Sequence, residues 1–247
     1  MTKIKERGMI FNDGMVRAIL DGRKIQTRRI MKVQPVLNGN FFEVFGAAWS
    51  KGMTSVPAVP GHSLSTRCPF GVIGDRIWVR ETWGVVSHEL NEDGRIQPWN
   101  PDRPATAIHE MPFGKGYYSG HAIYAADGEF TWGDDDGYED GRSCWKPSIH
   151  MPRAASRILL EITDVRVERL NSISEADAAR EGLMKLPVTG RYCINQGDQY
   201  FGGASHDARE VFSWLWKSIY GDDSWQANPW VWVIKFKRIE GDDHATD

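Results

Sequence analysis

The stretch ILDGRKIQTRRIM, residues 19–31, contains a lysine and a threonine that could support proton transfer and nucleophilic attack. A lysine partly withdrawn from water, such as Lys24, holds its proton less tightly and can act as a base. A hydroxyl beside such a base, such as that of Thr27, can become a nucleophile. Because three residues separate the two, they converge only if Lys24 comes from the turn before a strand. An exposed cationic stretch is the alternative interpretation.

Glu181 is the candidate proton donor. The segment SISEADAAREGLM predicts a short helix that Ser174 caps and Gly182 ends, which puts Glu181 in its last turn. A carboxylate there faces the negative end of the helix dipole, at a cost of about 0.3–1 kcal/mol. A neighbouring Lys or Arg would compensate, and a carboxylate between a helix end and a cation is a candidate acid. A solvated surface glutamate is the alternative.

Residues 76–83, RIWVRETW, carry planar side chains suited to a nucleobase. Alternation along a strand places Trp78 and Arg80 on one face and Glu81 on the other. Aromatic and guanidinium planes stack on bases with about 1–3 kcal/mol each. We therefore take these three as candidate substrate-binding residues, while a tryptophan on a strand is also typical of a core.

Residues 148–157, SIHMPRAASR, could line a polar cleft. The candidate ligand-binding side chains here are His150, Arg153, Ser156 and Arg157. Arginines on strands also make ordinary surface ion pairs, which is the alternative for this segment. No second His or Cys lies at a metal-ligand spacing from His150, so we predict neither a metal nor another cofactor.

Composition limits the class of protein. The chain has 247 residues, 11 Trp and 25 Gly, which favours a β-rich fold with irregular loops. A net charge of −3 argues against non-specific coating of nucleic acid but allows recognition of one nucleotide. The three scattered cysteines indicate no disulfide framework. No signal peptide or membrane span is evident, so a cytoplasmic location without membrane association is predicted.

The elements that would position these residues follow from periodicity and capping. A helix is predicted over residues 12–21, capped by Asn12 or Asp13, and the following strand places Thr27 and Arg29 on one face, opposite Arg28. Arg28 then serves solubility or a phosphate. Further strands are predicted at 74–84, 157–170 and 228–240, and an amphipathic helix at 206–221.

Two regions look irregular. Residues 33–73 are interpreted as loop with one hairpin near NFFEVFGAAW, and residues 84–145 as a turn-rich insertion. The acidic run GDDDGYEDG, residues 133–141, lacks the residue order of a calcium-binding EF-hand and is interpreted as a solvated loop.

The order of these motifs resembles the ASCH domain family of the PUA-like superfamily. The motifs are GRKIQTRR after a helix, GDRIWV on a strand, EGLM at the end of a short helix, and VIKFK on the last strand. The resemblance covers residues 9–31, 71–83, 157–184 and 228–239. It implies an α+β fold, a PUA-like β-barrel with flanking short helices and large irregular insertions. We expect a single domain over 1–247 with insertions at about 32–70, 84–145 and 185–206.

The resemblance also implies a chemistry. Within the family, the N(4)-acetylcytidine amidohydrolases remove an acetyl group from the exocyclic nitrogen of the nucleoside. Their base, nucleophile and proton donor fall on Lys24, Thr27 and Glu181, and Arg29 ends the first motif, where it could steady an oxyanion. The chain also resembles larger phage and prophage proteins that share GDRIWVRETW and NPWVWVI.

Three other functions stay open at this point. The same cleft could bind RNA, DNA, a nucleoside or a modified nucleotide without turnover. A phage protein could instead occupy a host protein through its Trp-rich insertions. A ribonuclease would need an acid and a base around the phosphate, which Lys24 and Glu181 could supply.

Overall fold

The computed structural model describes residues 3–59, 61–88, 91–95, 97, 103–132 and 144–239, and these form a mixed α+β chain. The chain divides into two compact units. The first comprises Met1–Arg7, Ala18–Ile77 and Leu160–Asp247, and the second comprises Gly8–Arg17 and Trp78–Leu159. The acidic run at 133–141 lies outside the described residues.

The helices and strands have the following bounds. The strands are β1 (Glu6–Ile10), β2 (Gln26–Ile30), β3 (Val36–Asn38), β4 (Phe41–Val44), β5 (Ala47–Ser50), β6 (Ser55–Pro57), β7 (Arg76–Arg80), β8 (Trp83–Val86), β9 (Thr106–Phe113), β10 (Gly116–Tyr124), β11 (Leu159–Arg169), β12 (Met184–Lys185), β13 (Tyr192–Cys193), β14 (Ala204–Ser205) and β15 (Trp230–Arg238). The α-helices are α1 (Asp13–Leu20), α2 (Ser63–Arg67), α3 (Glu175–Arg180) and α4 (Ala208–Tyr220). Short 3-10 turns include Ser148–His150 and Arg153–Ala155.

The largest sheet has the strand order β1-β7-β11-β15-β2, with β6 also paired to β11. Three smaller three-stranded sheets have the orders β8-β10-β9, β12-β13-β14 and β3-β4-β5. In the described part of the chain, the hydrogen-bonded path of the large sheet runs from β1 to β2 without returning to its start. The mixed α+β class is therefore confirmed, and the PUA-like barrel stays a prediction.

Pairing within the large sheet decides which charged side chains share a face. Val233 of β15 lies opposite Arg28 on one side and opposite Arg166 on the other. Directly paired residues of antiparallel strands point to the same face, so Arg28 and Arg166 lie on one face. Thr27 and Arg29 are out of phase with Arg28 and lie on the opposite face.

A register shift in β11 brings its charged residues onto the face of Arg28. The shift lies between Ile162 and Asp164, where β11 has one more residue than its partner. Such a bulge reverses the alternation that follows it. Asp164, Arg166 and Glu168 consequently share a face, while Ile162 faces the other way.

Helix α4 packs against β15 and buries its apolar side. The buried cluster contains Val211, Phe212, Trp216, Val231 and Val233. Ala178 of α3 belongs to the same cluster, so both helices cover this face of the sheet. Ile219 lies in the predicted apolar stripe of α4 but is exposed, whereas the neighbouring Tyr220 packs against the cluster.

The hairpin predicted near residues 40–49 is confirmed. Strands β4 and β5 pair in register and are joined by Phe45 and Gly46, whose φ angles are 53° and 75°. Two consecutive positive φ angles are typical of the type I′ turn, whose twist matches that of the strands.

The prediction of irregular structure was wrong for residues 106–124. These residues form β9 and β10, an antiparallel hairpin that also pairs with β8. Ile108, Met111 and Tyr124 are buried in one cluster with Trp83. The sequence pattern hides these strands because a register shift between Tyr118 and Gly120 interrupts the alternation of apolar and polar residues.

Candidate functional site

Lys24 lies in a short backbone link between α1 and β2. Gly22 has a φ of 73°, which ends the helix, and the Lys24 amide then donates to the carbonyl of Ala18 at 2.9 Å. An isolated antiparallel bridge pairs Lys24 with Glu181, and the amide of Ile25 donates to the carbonyl of Arg180 at 3.2 Å. This link fixes the backbone of Lys24 beside the end of α3.

Glu181 lies at the C-terminal end of α3, as predicted. Ser174 caps the start of the helix by accepting a hydrogen bond from the amide of Asp177 at 3.1 Å. At the other end, the Lys24 ammonium donates to the Glu181 backbone carbonyl at 2.8 Å and to its Oε2 atom at 3.0 Å. The cation that the helix dipole requires is therefore Lys24, which neutralises the end of the helix and the carboxylate together.

Gly182 makes this close approach possible. Its φ is 108°, and a Cβ atom on it would lie 2.9 Å from the Cβ of Ala18 and 3.1 Å from the Cβ of Lys24. Any side chain at this position would displace the backbone that carries Lys24. The glycine is thus part of the geometry that places Lys24 against Glu181.

Arg28 holds the other oxygen of the same carboxylate. Its Nη1 donates to Glu181 Oε1 at 2.7 Å, and its Nε donates to Glu168 Oε1 at 3.1 Å. Its Nη2 also bonds to Glu168. The expectation that Arg28 serves solubility or a phosphate was wrong, because its side chain is fully buried and its donors are directed at carboxylates.

The network continues onto β11. Arg166 donates to Glu168 Oε2 at 3.1 Å and to Asp177 Oδ2 at 2.8 Å, and Gln26 donates to the carbonyl of Asp177 at 2.9 Å. Glu168 is therefore held by two guanidinium groups, Arg28 and Arg166. Lys24, Arg28, Glu168 and Glu181 are each at most 5% exposed, so two positive and two negative charges balance within the buried part of the network.

Burial shifts the titration of Lys24. Desolvation lowers the pKa of Lys24, and the positive charges of Arg29 and Arg28 lower it further, while contact with Glu181 opposes the shift. For Arg28, burial acts to lower the pKa, but Glu181 and Glu168 together raise it. Lys24 is thus the cation of the network that releases its proton more readily than in water.

Thr27 lies on the face of β2 opposite to Arg28. It is 2% exposed, and no side-chain hydrogen bond joins its hydroxyl to any residue that the structure describes. The structure brings Lys24 and Glu181 into contact and does not bring Thr27 into hydrogen-bond contact with either. Arg29 is on the same face as Thr27, opposite Trp232 of β15.

In the second unit, two predicted ligand-binding residues bind each other. Arg157 donates to both carboxylate oxygens of Glu81, at 3.0 and 2.9 Å, and to Asp127 at 2.7 Å. Its guanidinium also lies 3.9 Å from the ring centroid of Tyr124. Glu81 is fully buried, and burial raises its pKa although Arg157 opposes the shift.

The remaining predicted ligand-binding residues are spread over the second unit. Ser156 is buried and donates to the carbonyl of Val79 at 2.8 Å. Arg80 lies over the ring of Trp78 at 5.3 Å, and Trp78 is half-buried. His150 is exposed and Arg153 half-buried, each within a short 3-10 turn.

No group of three or more His, Cys, Asp or Glu side chains in the described residues is arranged to hold a metal ion. No described helix is long and apolar enough to cross a bilayer. In comparisons with known proteins, no family model, curated protein or solved structure matches this chain.

Sequence reasoning missed the contact of Arg28 with Glu181 and the part that other charged residues have in this network, namely Glu168, Asp177 and Arg166. The available signal was the alternation of polar or charged residues on two predicted strands, Gln26 and Arg28 on one, and Arg166 and Glu168 on the other. Charged residues at every second position normally face water. Here a helix from a distant part of the chain covers them, which local periodicity does not reveal.

Proposed function

We propose that this protein hydrolyses an acylated nucleoside amide similar to N(4)-acetylcytidine. The observation that carries the proposal is the buried contact of 3.0 Å between the Lys24 ammonium and Glu181 Oε2. A base and an acid are needed in such a reaction, and this pair supplies both from one hydrogen bond.

The pair shares one exchangeable proton. With that proton on Lys24, the pair is an ammonium and a carboxylate; with it on Glu181, the pair is a neutral amine and a carboxylic acid. Burial lowers the pKa of Lys24, which makes its neutral amine more accessible than it is in water. The neutral form is the one that hydrolysis requires.

In the reaction, Lys24 accepts one proton and Glu181 donates one. The Lys24 amine takes a proton from the nucleophile, whose oxygen attacks the carbonyl carbon, and Arg29 or backbone amides steady the oxyanion. When the carbon–nitrogen bond breaks, Glu181 gives its proton to the leaving amine. If the nucleophile is the Thr27 hydroxyl, an acyl ester forms and water then hydrolyses it. If it is a water molecule, the acid is released directly.

Membership of the ASCH family, with its PUA-like barrel, is part of this proposal. Its support is that segments carrying the motifs lie on one sheet: GRKIQTRR on β2, GDRIWV on β7 and VIKFK on β15. EGLM adjoins the same sheet through the bridge between Lys24 and Glu181. Motifs that are far apart in sequence thereby lie on or beside one sheet.

A second candidate is a module that binds a nucleoside, nucleotide or RNA without turnover. The observation in its favour is that Glu181 already accepts from both Lys24 and Arg28, which leaves a closed ion network in the resting protein. Such a module has no need of the Thr27 hydroxyl. A host protein as partner would use other surfaces and leave the site unchanged.

Substitutions of Thr27 separate these alternatives when turnover and binding of N(4)-acetylcytidine are both measured. For a threonine nucleophile, Thr27→Ala abolishes turnover, Thr27→Ser keeps part of it, and binding changes little. For a water nucleophile, Thr27→Ala keeps turnover. Thr66→Ala, at an exposed position, is the control. Binding by the wild type without any cytidine formed would favour the second candidate and contradict the first.

A further inference from the structure

Arg28 has no role in the proposed reaction, yet it is among the most constrained side chains in the described residues. Its side chain is fully buried and reaches two carboxylates from different elements, Glu181 at the end of α3 and Glu168 on β11. A third, Asp177, lies 3.8 Å from its Nη2. With its donors directed at carboxylates, Arg28 is not available to a phosphate.

We infer that Arg28 is a positioning residue that fixes the orientation of the Glu181 carboxylate. Because Arg28 holds Oε1 at 2.7 Å, Oε2 is the oxygen that faces the Lys24 ammonium at 3.0 Å. A free carboxylate could rotate about its terminal bond and present either oxygen. This inference rests on the proposed function, since the orientation matters for the proton that Lys24 and Glu181 share.

The shape of the guanidinium explains why an arginine is required. One edge of Arg28, Nε and Nη2, binds Glu168, and Nη1 binds Glu181, so two carboxylates are held at a fixed separation. A lysine carries a single point of charge and has no such fork. Arg166, also on β11, donates to the second oxygen of Glu168 and so fixes the carboxylate that Arg28 binds.

Arg28 also contributes to the charge that surrounds Lys24. The charged groups near this pair are Glu181 and Asp177 from the α3 region, Asp164, Arg166 and Glu168 from β11, and Arg28 and Arg29 from β2. Removal of Arg28 leaves Glu181 with Lys24 as its only side-chain cation within the described residues. Lys24 would then hold its proton more tightly, and less of it would be the neutral amine that can accept a proton from the nucleophile.

The test uses nuclear magnetic resonance of the full chain with isotope-labelled lysine, and Lys24→Met identifies the Lys24 signal. In Arg28→Met, the pKa of Lys24 should rise. In Arg28→Lys, which keeps the charge, the Lys24 ammonium protons should exchange with water about tenfold faster, because Glu181 is no longer held in place. The control is Arg180→Lys, at an exposed position in α3. It should change neither the pKa of Lys24 nor the exchange rate of its ammonium protons.

These readouts do not require turnover, so the inference and the proposed function can fail separately. If wild-type protein hydrolyses the amide, Arg28→Lys should also lower kcat by about a hundredfold with KM unchanged. If the wild type has no hydrolase activity, the resonance data still decide the role of Arg28. A folded Arg28→Lys protein whose Lys24 ammonium exchanges as in the wild type would overturn the inference, whether or not Arg28→Met folds.

Discussion

The ammonium of Lys24 lies 2.8 Å from the backbone carbonyl oxygen of Glu181 and 3.0 Å from its carboxylate. One cation therefore caps the backbone carbonyl at the C-terminal end of α3 and pairs with the side chain of the same residue. Both groups are at most 3% exposed. A pair in this setting is strongly coupled, because neither charge can turn to water when its partner is removed.

Coupling within the pair can be measured by a double-mutant cycle. Glu181→Gln should lower the free energy of unfolding by about 3–5 kcal/mol, because Lys24 is left buried without its carboxylate. Lys24→Met should cost less, because Arg28 still donates to Glu181 Oε1 at 2.7 Å. The double variant should lose clearly less than the sum of the two. Urea unfolding measures all four proteins.

Lys237 and Glu161 provide a matched control for this cycle. Their ion pair has a similar distance of 3.3 Å, but the side chains are 61% and 36% exposed. Lys237→Met and Glu161→Gln should therefore cost only about 0–1 kcal/mol each. Additive losses at Lys24 and Glu181 would contradict the coupling.

The lowered pKa of Lys24 predicts a pH dependence of stability. Because the native state binds this proton less tightly than the unfolded state, the free energy of unfolding rises with pH between the native pKa of Lys24 and the ordinary lysine value of 10.5. Below the native pKa the contribution is constant. The gain should disappear in Lys24→Met.

The measurement is the difference in unfolding free energy between wild type and Lys24→Met, taken from about pH 7 to about pH 10. That difference should increase with pH. Lys51→Met, at an exposed position, controls for the loss of one lysine. A difference that stays flat over this range would contradict a lowered pKa of Lys24 in the native state.

Gly182 and Gly190 together test how closely the backbone at Gly182 packs against Ala18 and Lys24. Both have positive φ angles, 108° and 70°, but a Cβ atom on Gly190 would meet nothing within 4 Å. Gly190→Ala should therefore lose only about 1–2 kcal/mol of unfolding free energy, from placing an alanine in the left-handed conformation. Gly182→Ala should lose about 1–3 kcal/mol more unfolding free energy than Gly190→Ala, because its Cβ atom would collide with Ala18 and Lys24. Equal losses of unfolding free energy in the two variants would show that the approach is not tight.

Arg157 tests whether the buried ion pair of the second unit is structural. Arg157→Met leaves Glu81 buried without its cation, and we expect a loss of about 3–5 kcal/mol in unfolding free energy. Arg157→Met with Glu81→Gln should recover part of that loss. Arg95→Met, at an exposed position, should have little effect. An unfolding free energy unchanged by Arg157→Met would favour the predicted ligand-binding role over a structural one.

Local sequence signals predicted part of the candidate site. The end of a helix at Glu181, and the need for a cation there, followed from the helix dipole and from Gly182. The partner was not predictable from local pattern alone, because Lys24 and Glu181 are 157 residues apart in the chain. Only the pairing of strands and the bridge before β2 bring them together.

The same limit explains the misreading of Arg28 and of residues 106–124. Alternation along β2 predicted correctly that Arg28 faces away from Thr27, but it carries no information about what covers that face. The extra residue lies on β9 in the β9–β10 pair and on β11 in the β11–β15 pair. Each bulge reverses the alternation of apolar and polar residues along its strand, so a period of two cannot be followed across it. Which side of the sheet a residue faces, and what covers that side, depend on pairing with strands that are distant in the sequence.

The rate of acetate release from N(4)-acetylcytidine tests the central claim most directly. The wild type and the control Glu161→Gln should hydrolyse the substrate, and folded Glu181→Gln should be slower by about 10²–10⁴-fold, because it lacks the proton donor. No acetate release by the wild type, or an unchanged rate in Glu181→Gln, would contradict the role given to the Lys24 and Glu181 pair.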